Sequence, residues 1–390
     1  MKKNICVVTG TRAEYHLLTP VMNEIKNTEG LNLVLAVTGA HLSEDYGNTY
    51  IDIENDGYKI DVKVPILNDI NDESNVNIAM AKAIIGFDGF FKENRPDMIV
   101  LLGDRYELMS VAIVAMNYRI PIAHIHGGET TEGAIDECIR HSISKMSMLH
   151  FTSCEKYRKR VIQLGENPNR VYNVGALGIE NIKRYDRLTI KELEDSLNFD
   201  LNNHFAVVTF HPVTLEDNKA EQEFNELLEA LDCFNDLKII FTKSNADVGG
   251  RIINNMIDEY VKRNSDRCVT VFSLGMRRYL TALSYADIVI GNSSSGIIET
   301  PSFCVPTVNI GDRQKGRVQA KNILNCEPQK DEIIKTIEKG LSPGFRLYVK
   351  DTVSPYGDGN TSKKIVKIIK EYLSNEPDMK KSFYNIKESE

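Results

Sequence analysis

Two stretches of this chain carry residues whose types and spacing could do chemistry. The denser one holds His124, His126, Glu129, Asp136, Glu137, Arg140 and His141. Carboxylates grouped in a partly dry site have their pKa values pushed apart, so that one can act as base and another as acid. Asp136 and Arg140 stand four apart on an expected helix and share a face, where they would pair. His124 and His126 alternate along an expected strand, which would put both imidazoles on one face, a spacing that zinc sites also use. A metal site and a proton-transfer site are both open on this pattern; Arg140 inside the cluster favours proton transfer.

The second stretch is Gly291-Asn292-Ser293-Ser294-Ser295-Gly296, between the apolar run Ile288–Ile290 and Ile297-Ile298-Glu299. It reads as strand, small polar turn and helix start. Such a turn presents N–H groups and hydroxyls at the positive end of a helix, where a diphosphate can sit. Glu299, one turn on, suits the diol of a ribose. No P-loop or GxGxxG competes for such a ligand elsewhere. Four further motifs add to these two. Gly10-Thr11-Arg12 and Gly103-Asp104-Arg105 each follow an apolar run, and an arginine there suits a phosphate fork, though Asp104 and Arg105 could equally be a local ion pair. His211-Pro212 ends another run and exposes an imidazole, because proline stops the strand. Gly311-Asp312-Arg313-Gln314-Lys315-Gly316-Arg317 is a basic, glycine-flanked loop that could reach a diphosphate.

The elements that position these residues alternate. Ile5–Val8, Leu33–Val37, Met98–Leu102 and Ile120–Ile125 are strand-like runs separated by helical stretches, the first near Leu17–Lys26 and another ending at Tyr118. Strand–helix alternation predicts α/β architecture, a parallel sheet with helices on both faces and every strand's C-terminal loop on one edge. From Leu177 to Asn203 the chain turns helical and polar, the expected interdomain region. The alternation then restarts at Phe205–Phe210 and continues at Lys238–Phe241, Cys268–Phe272, Asp287–Ile290 and Thr307–Ile310. Two doubly wound domains are expected, at 1–178 and 204–360, with a ligand cleft between them. A last helix near Ser362–Tyr372, within 361–390, is expected to pack back on the first domain and to be followed by a mobile charged tail.

Composition narrows the function classes. The chain has 390 residues, enough for two domains, and 42% are apolar. A net charge of −8 argues against a nucleic-acid surface. No apolar run reaches the length of a membrane span, and Met1-Lys2-Lys3 leads into a strand rather than a secretory signal. Seven cysteines without metal-type spacing predict reduced thiols and a cytoplasmic protein.

Taken in order, Gly10–Tyr15, Gly103–Arg105, His124–Glu129, Ile139–Ser142, Gly291–Gly296 and Gly311–Arg317 resemble the hydrolysing UDP-N-acetylglucosamine 2-epimerases, above all those of bacterial sialic-acid pathways. The likeness runs over nearly the whole chain. It implies a GT-B-like fold of two Rossmann-like domains, a homodimer or homotetramer, and no metal or redox cofactor. It implies conversion of UDP-GlcNAc and water to ManNAc and UDP, through elimination to a 2-acetamidoglucal and rehydration. By the same resemblance Asp104 and Asp136 match catalytic aspartates. Some members have a glutamate where His126 stands; Glu129 or His126 would then supply the missing acid function beside Arg140. Arg12, Arg105, His211, Asn245, Ser293, Ser294, Glu299 and Arg313 match UDP-contacting positions, with Ser295 and Gly296 completing the diphosphate turn. The same scaffold also serves UDP-2,4-diacetamido-2,4,6-trideoxyglucose, and a GT-B glycosyltransferase would share the serine-rich turn but leave Asp104, Glu129 and Asp136 without a task.

Overall fold

Strand β1 (Lys3–Thr9) shows why the chain folds as layers. Ile5 and Val7 enter one core while Cys6 and Val8 enter another, and all four are buried. A strand that is apolar at both parities must be covered on both faces, which is the condition of a parallel sheet wrapped by helices. The structure is a computed structural model and describes residues 2–67, 73–131, 135–202, 204–212, 219–244, 250–272, 274–375 and 379–386.

The first sheet contains β1, β2 (Leu31–Thr38), β3 (Val62–Val64), β4 (Met98–Leu102), β5 (Ile122–Ile125), β6 (Leu149–Thr152) and β7 (Val171–Asn173). Their order is β3-β2-β1-β4-β5-β6-β7, and every pairing is parallel. The second sheet contains β8 (Phe205–Thr209), β9 (Lys238–Thr242), β10 (Cys268–Val271), β11 (Ile288–Gly291), β12 (Thr307–Ile310) and β13 (Ile323–Cys326). Its order is β10-β9-β8-β11-β12-β13, again all parallel. Each sheet reverses its winding at one point, β1/β4 in the first and β8/β11 in the second. Ligands of such folds bind beyond the strand ends at these points. Gly10–Arg12, Gly103–Arg105, His211 and Asn292–Gly296 all follow these four strands. The short edge strands β3, β7 and β13 have no counterpart in the sequence reading, because three or four residues at a sheet edge need no long apolar run.

Two compact units divide the chain. One comprises Met1–Glu129, Asp136–Glu180 and Tyr356–Glu390; the other comprises Thr130–Ile135 and Asn181–Pro355. The helix Thr361–Ser374 belongs to the first unit, where Ile365, Val366, Ile369 and Leu373 join Leu18 and Ile25 of the helix Arg12–Asn27 in one core. Burial of each such side chain contributes about 1.5–3 kcal/mol. Residues 379–386 lie in the segment read as a mobile tail. They are instead hydrogen-bonded to the first unit through Lys381 and Tyr384.

One boundary moved for a readable reason. The first helix begins at Arg12, not near Leu17, because Thr11 and Glu14 form a capping box in which the Thr11 hydroxyl accepts from Glu14 N and the Glu14 carboxylate returns to Thr11 N. Thr-x-x-Glu was the available signal.

Candidate functional site

In the first unit the site is assembled around Arg140. It lies on the helix Asp136–Met146, and its guanidinium is almost fully buried. It donates to Asp104 Oδ2, to Glu137 Oε2 at 2.8 Å and to the Glu129 carbonyl at 2.8 Å. A planar fork with several fixed donors suits this task, and a buried arginine needs such partners to offset its lost hydration. Asp104 is therefore not paired with its neighbour Arg105. Arg105 instead donates from Nε to Glu107 Oε1 at 2.7 Å. The expected Asp136–Arg140 pairing across one helix turn is replaced by Glu137–Arg140 and Asp104–Arg140 pairs. Asp136 is left beside this array, with its carboxyl pushed above the usual carboxylate range by burial and then by the Asp104 charge.

His124 and His126 do not share a strand face. β5 ends at Ile125, and His126 adopts the left-handed region with φ +65°. This conformation is costly for a residue with a Cβ and recurs at functional sites. His124 is fully buried, with Nε2 2.7 Å from the Gly103 carbonyl and Nδ1 3.1 Å from Ser144 Oγ. Both nitrogens are thus engaged in holding the Gly103–Asp104 turn against the Asp136 helix, which removes His124 as a ligand. Among the described residues no group of three or more His, Cys, Asp or Glu side chains is placed to hold a metal. His126 Nδ1 is 3.5 Å from Glu129 Oε1, and its Nε2 accepts from Leu177 N at 3.5 Å. Glu129 is buried and accepts from Ser153 Oγ at 2.6 Å. The imidazole is the more exposed member of this pair, with the carboxylate behind it.

Arg12 is half-exposed, 3.7 Å from Asp52. Beneath the same turn, Glu14 accepts from Gly10 N at 2.8 Å and Thr11 N at 3.2 Å. Burial, and then the nearby Glu107 charge, pushes its carboxyl up to about 8.

In the second unit Asn292, which the sequence reading passed over within its own motif, is the pivot. Its Oδ1 accepts from His211 N at 2.8 Å and its Nδ2 donates to His211 O at 2.7 Å, tying the end of β8 to the end of β11. Its carbonyl accepts from Arg313 Nη1 at 3.0 Å and Gln314 Nε2 at 2.9 Å. Arg313 therefore stands over the serine turn. His211 Nδ1 lies 3.1 Å from Ser244 Oγ. Ser295 Oγ bonds to Tyr279 Oη, and Ser293 Oγ accepts from Ser295 N at 3.4 Å. Burial, and then the charge of Glu299, push the Tyr279 hydroxyl up. The helix expected after this turn is a single turn, Ser295–Ile298, followed by the 3-10 segment Thr300–Phe303 with Pro301 in its first turn. A helix this short has little macrodipole, so anion binding here would rest on local N–H groups and Arg313. Asn245 lies outside the described residues.

Three of the histidines are held neutral by burial: His41 at about 4, and His124 and His211 at about 3. The unfolded chain protonates them near 6.5, so their contribution is intact above that pH and is lost as pH falls from 6.5 toward 4. Each should cost stability by up to about 1.4 kcal/mol per pH unit in that window. Urea midpoints should therefore drop between pH 7 and pH 5; an unchanged midpoint would contradict this.

Parallel sheets with polar, ionisable loops at both winding reversals define a doubly wound α/β protein with its ligand-type loops beyond the strand ends. Comparison with known proteins specifies it. Residues 23–370 match the family model described as UDP-N-acetylglucosamine 2-epimerase, and the chain belongs to that family. The chain is 45% identical over 326 residues to the GDP/UDP-N,N'-diacetylbacillosamine 2-epimerase (hydrolyzing) of Campylobacter jejuni, covering 84% of this chain and 85% of the relative. It is 42% identical to the polysialic acid biosynthesis protein P7 of Escherichia coli, covering 99% of this chain and 98% of that one. The crystal structure of the Methanocaldococcus jannaschii UDP-GlcNAc 2-epimerase in complex with UDP-GlcNAc and UDP shares the fold, with a TM-score of 0.76 at 18% identity over 94% of this chain and 99% of that one.

Proposed function

We propose that this protein is a hydrolysing UDP-GlcNAc 2-epimerase that makes ManNAc and UDP as the first committed step of a sialic-acid pathway. The observation that carries the reading is the Asp104–Arg140–Glu137 array with Asp136 beside it. Removing the weakly acidic proton at C2 of the sugar needs a positioned carboxylate whose pKa lies nearer neutrality than that of a free aspartate. In this reading Asp136 or Asp104 takes the C2 proton while the C1–O bond to UDP breaks, leaving a 2-acetamidoglucal. Water then delivers hydroxide to C1, and a proton returns to C2 on the opposite face. His126, backed by Glu129, is the second acid. Arg140 keeps the carboxylates in register. Arg313, His211 and the Ser293–Gly296 turn hold the leaving diphosphate, with Asn245, Arg12 and Arg105 contributing and Glu299 on the ribose. Donors gathered on a departing diphosphate stabilise the charge that develops there.

A second substrate has a specific observation in its favour. The 45% identical relative and a 34% identical one from Legionella pneumophila both carry names for diacetamido-sugar epimerases. Incubation in heavy water with UDP-GlcNAc and, separately, with UDP-2,4-diacetamido-2,4,6-trideoxyglucose decides between them. UDP-GlcNAc should give free UDP and ManNAc carrying deuterium at C2. Faster turnover of the diacetamido sugar would transfer the assignment to that substrate. Intact UDP-ManNAc, or UDP release without a 2-epimer, would overturn the reaction itself.

We further propose a cytoplasmic homo-oligomer. All seven cysteines are free, as in a reducing compartment. Ile78 and Ile85 lie on one face of the helix Glu73–Glu93 and are exposed, as is Met116 on the helix packed against it. The Ile78–Ile85 face suits a second copy of the chain. No helix among the described residues is long and apolar enough to cross a membrane.

A further inference from the structure

The helix Asp136–Met146 carries Asp136, Glu137 and Arg140 in its first half. Its other end is held by a residue more than two hundred positions away. Lys381 Nζ donates to the carbonyls of Ser144 at 3.4 Å, Lys145 at 2.6 Å and Ser147 at 2.7 Å. These are carbonyls of the last turn and just beyond it, where helix carbonyls lack intrahelical partners and where the negative end of the dipole favours a cation. Lys381 also pairs at 2.8 Å with Glu166, whose carboxylate is fully buried and also takes Lys145 at 2.6 Å and His150 at 3.0 Å. Burial works against that charge, but hydrogen bonds from His150, Lys145 and Lys381 outweigh it and hold Glu166 at about 2. Two further contacts seat the same segment. Tyr384 N donates to Gly165 O at 2.8 Å, and the Phe383 ring covers Gly165 so closely that a Cβ there would meet it at 2.3 Å. Lys145 stands over that ring, 5.2 Å from its centre.

We propose that residues 379–386 form a strap and that Lys381 is a positioning residue: by capping the Asp136 helix it sets the axial place of Arg140 and Asp136 relative to Asp104. From the capped carbonyls to Arg140 is four to seven residues, or about 6–10 Å along the helix, so displacement at one end is transmitted to the other. A shift of about 1 Å at a reacting group can cost on the order of a hundredfold in rate. The remaining ties at that end, Ser144 Oγ to His124 and Lys145 to Glu166, keep the helix folded without the strap.

The kinetic part of this proposal rests on the epimerase reading; the structural part does not. The test compares the full chain with Lys381→Met, Lys381→Arg and a chain ending at Asn375. Lys381→Met and the shortened chain should exchange amide hydrogens at residues 143–147 about tenfold faster or more. They should also lose about tenfold in kcat on UDP-GlcNAc, with the Kd for UDP unchanged. Lys381→Arg, which keeps the charge and the donors, should recover most of both. Unchanged exchange in Lys381→Met overturns the strap. Faster exchange with unchanged kcat overturns the positioning role, as does a loss of UDP affinity in step with kcat. If the full chain turns over no UDP-sugar, the epimerase reading fails while the exchange data still decide the strap.

Discussion

Asp136→Asn should lower kcat by about a thousandfold while leaving the Kd for UDP within about twofold. The amide keeps the volume of the carboxyl but cannot take a proton, and a positioned general base contributes roughly 10²–10⁴ in rate. The side chain is only partly buried, so folding should survive the change. Asp104→Asn should be nearly as damaging for a second reason. Asp104 is one of the partners of a guanidinium that is almost fully buried, and removing its charge leaves Arg140 less compensated. The Asp104 variant also makes a signed prediction for pH. Burial is the first cause of the raised Asp136 pKa and the Asp104 charge is the second. Without that charge the Asp136 pKa falls, so the acidic limb of residual kcat/KM should move to lower pH. Steady-state kinetics from pH 5 to 9, with UDP binding by calorimetry, checks all of this. Wild-type turnover in either variant would remove that residue from the mechanism.

Gly291→Ala is the second large effect, and it acts through the backbone. Gly291 ends β11 at φ +134°, and a Cβ there would sit 1.9 Å from the Thr209 carbonyl oxygen, with the Thr209 carbonyl carbon at 2.7 Å. Thr209 is its direct partner on β8, so the clash falls between the two strands at the winding reversal. Relief requires those strands to part. That would break Asn292 N to Thr209 O at 3.1 Å and the reciprocal Asn292–His211 bonds. Strain of about 1–3 kcal/mol and a similar amount for stranded buried polar groups give an expected loss of about 2–6 kcal/mol. UDP affinity should fall with it, because Arg313 and Gln314 are anchored on the Asn292 carbonyl. Gly344→Ala is the control, since nothing lies within 4 Å of its Cβ position. Urea denaturation of both variants settles the matter. A Gly291→Ala protein as stable as the Gly344→Ala one would show that the β8–β11 junction tolerates what this geometry forbids.

Much of the fold was legible because its cause is local. Strands buried on both faces must be apolar throughout, so Ile5–Val8, Met98–Leu102 and Phe205–Phe210 announce themselves, and the polar residues after them mark the loop edge. Even the first helix start was written in Thr11 and Glu14, three residues apart. The site was legible only as a set of candidates. Glu137 sits one residue from Asp136 on the same helix, yet it is Glu137 that holds Arg140, because side-chain direction, not spacing alone, decides which carboxylate a guanidinium meets. His126 leaves the strand face its spacing implied, because β5 stops at Ile125 and the backbone turns left-handed there.

The sequence by itself determined two parallel α/β sheets, the loops that carry chemistry and a membership written in six ordered motifs, since each depends on residues within a few positions of one another. The tertiary structure alone decided that Arg140 meets Asp104, that Glu129 lies behind His126, that Asn292 joins β8 to β11 and that Lys381 caps the Asp136 helix. Those partners are 36, 3, 81 and more than 200 positions apart. Even the closest of them depends on a backbone turn and a buried hydroxyl that no spacing rule contains. Pairings of this kind are set by sheet register and by which buried charge lacks a partner, and those quantities exist only once the chain has folded.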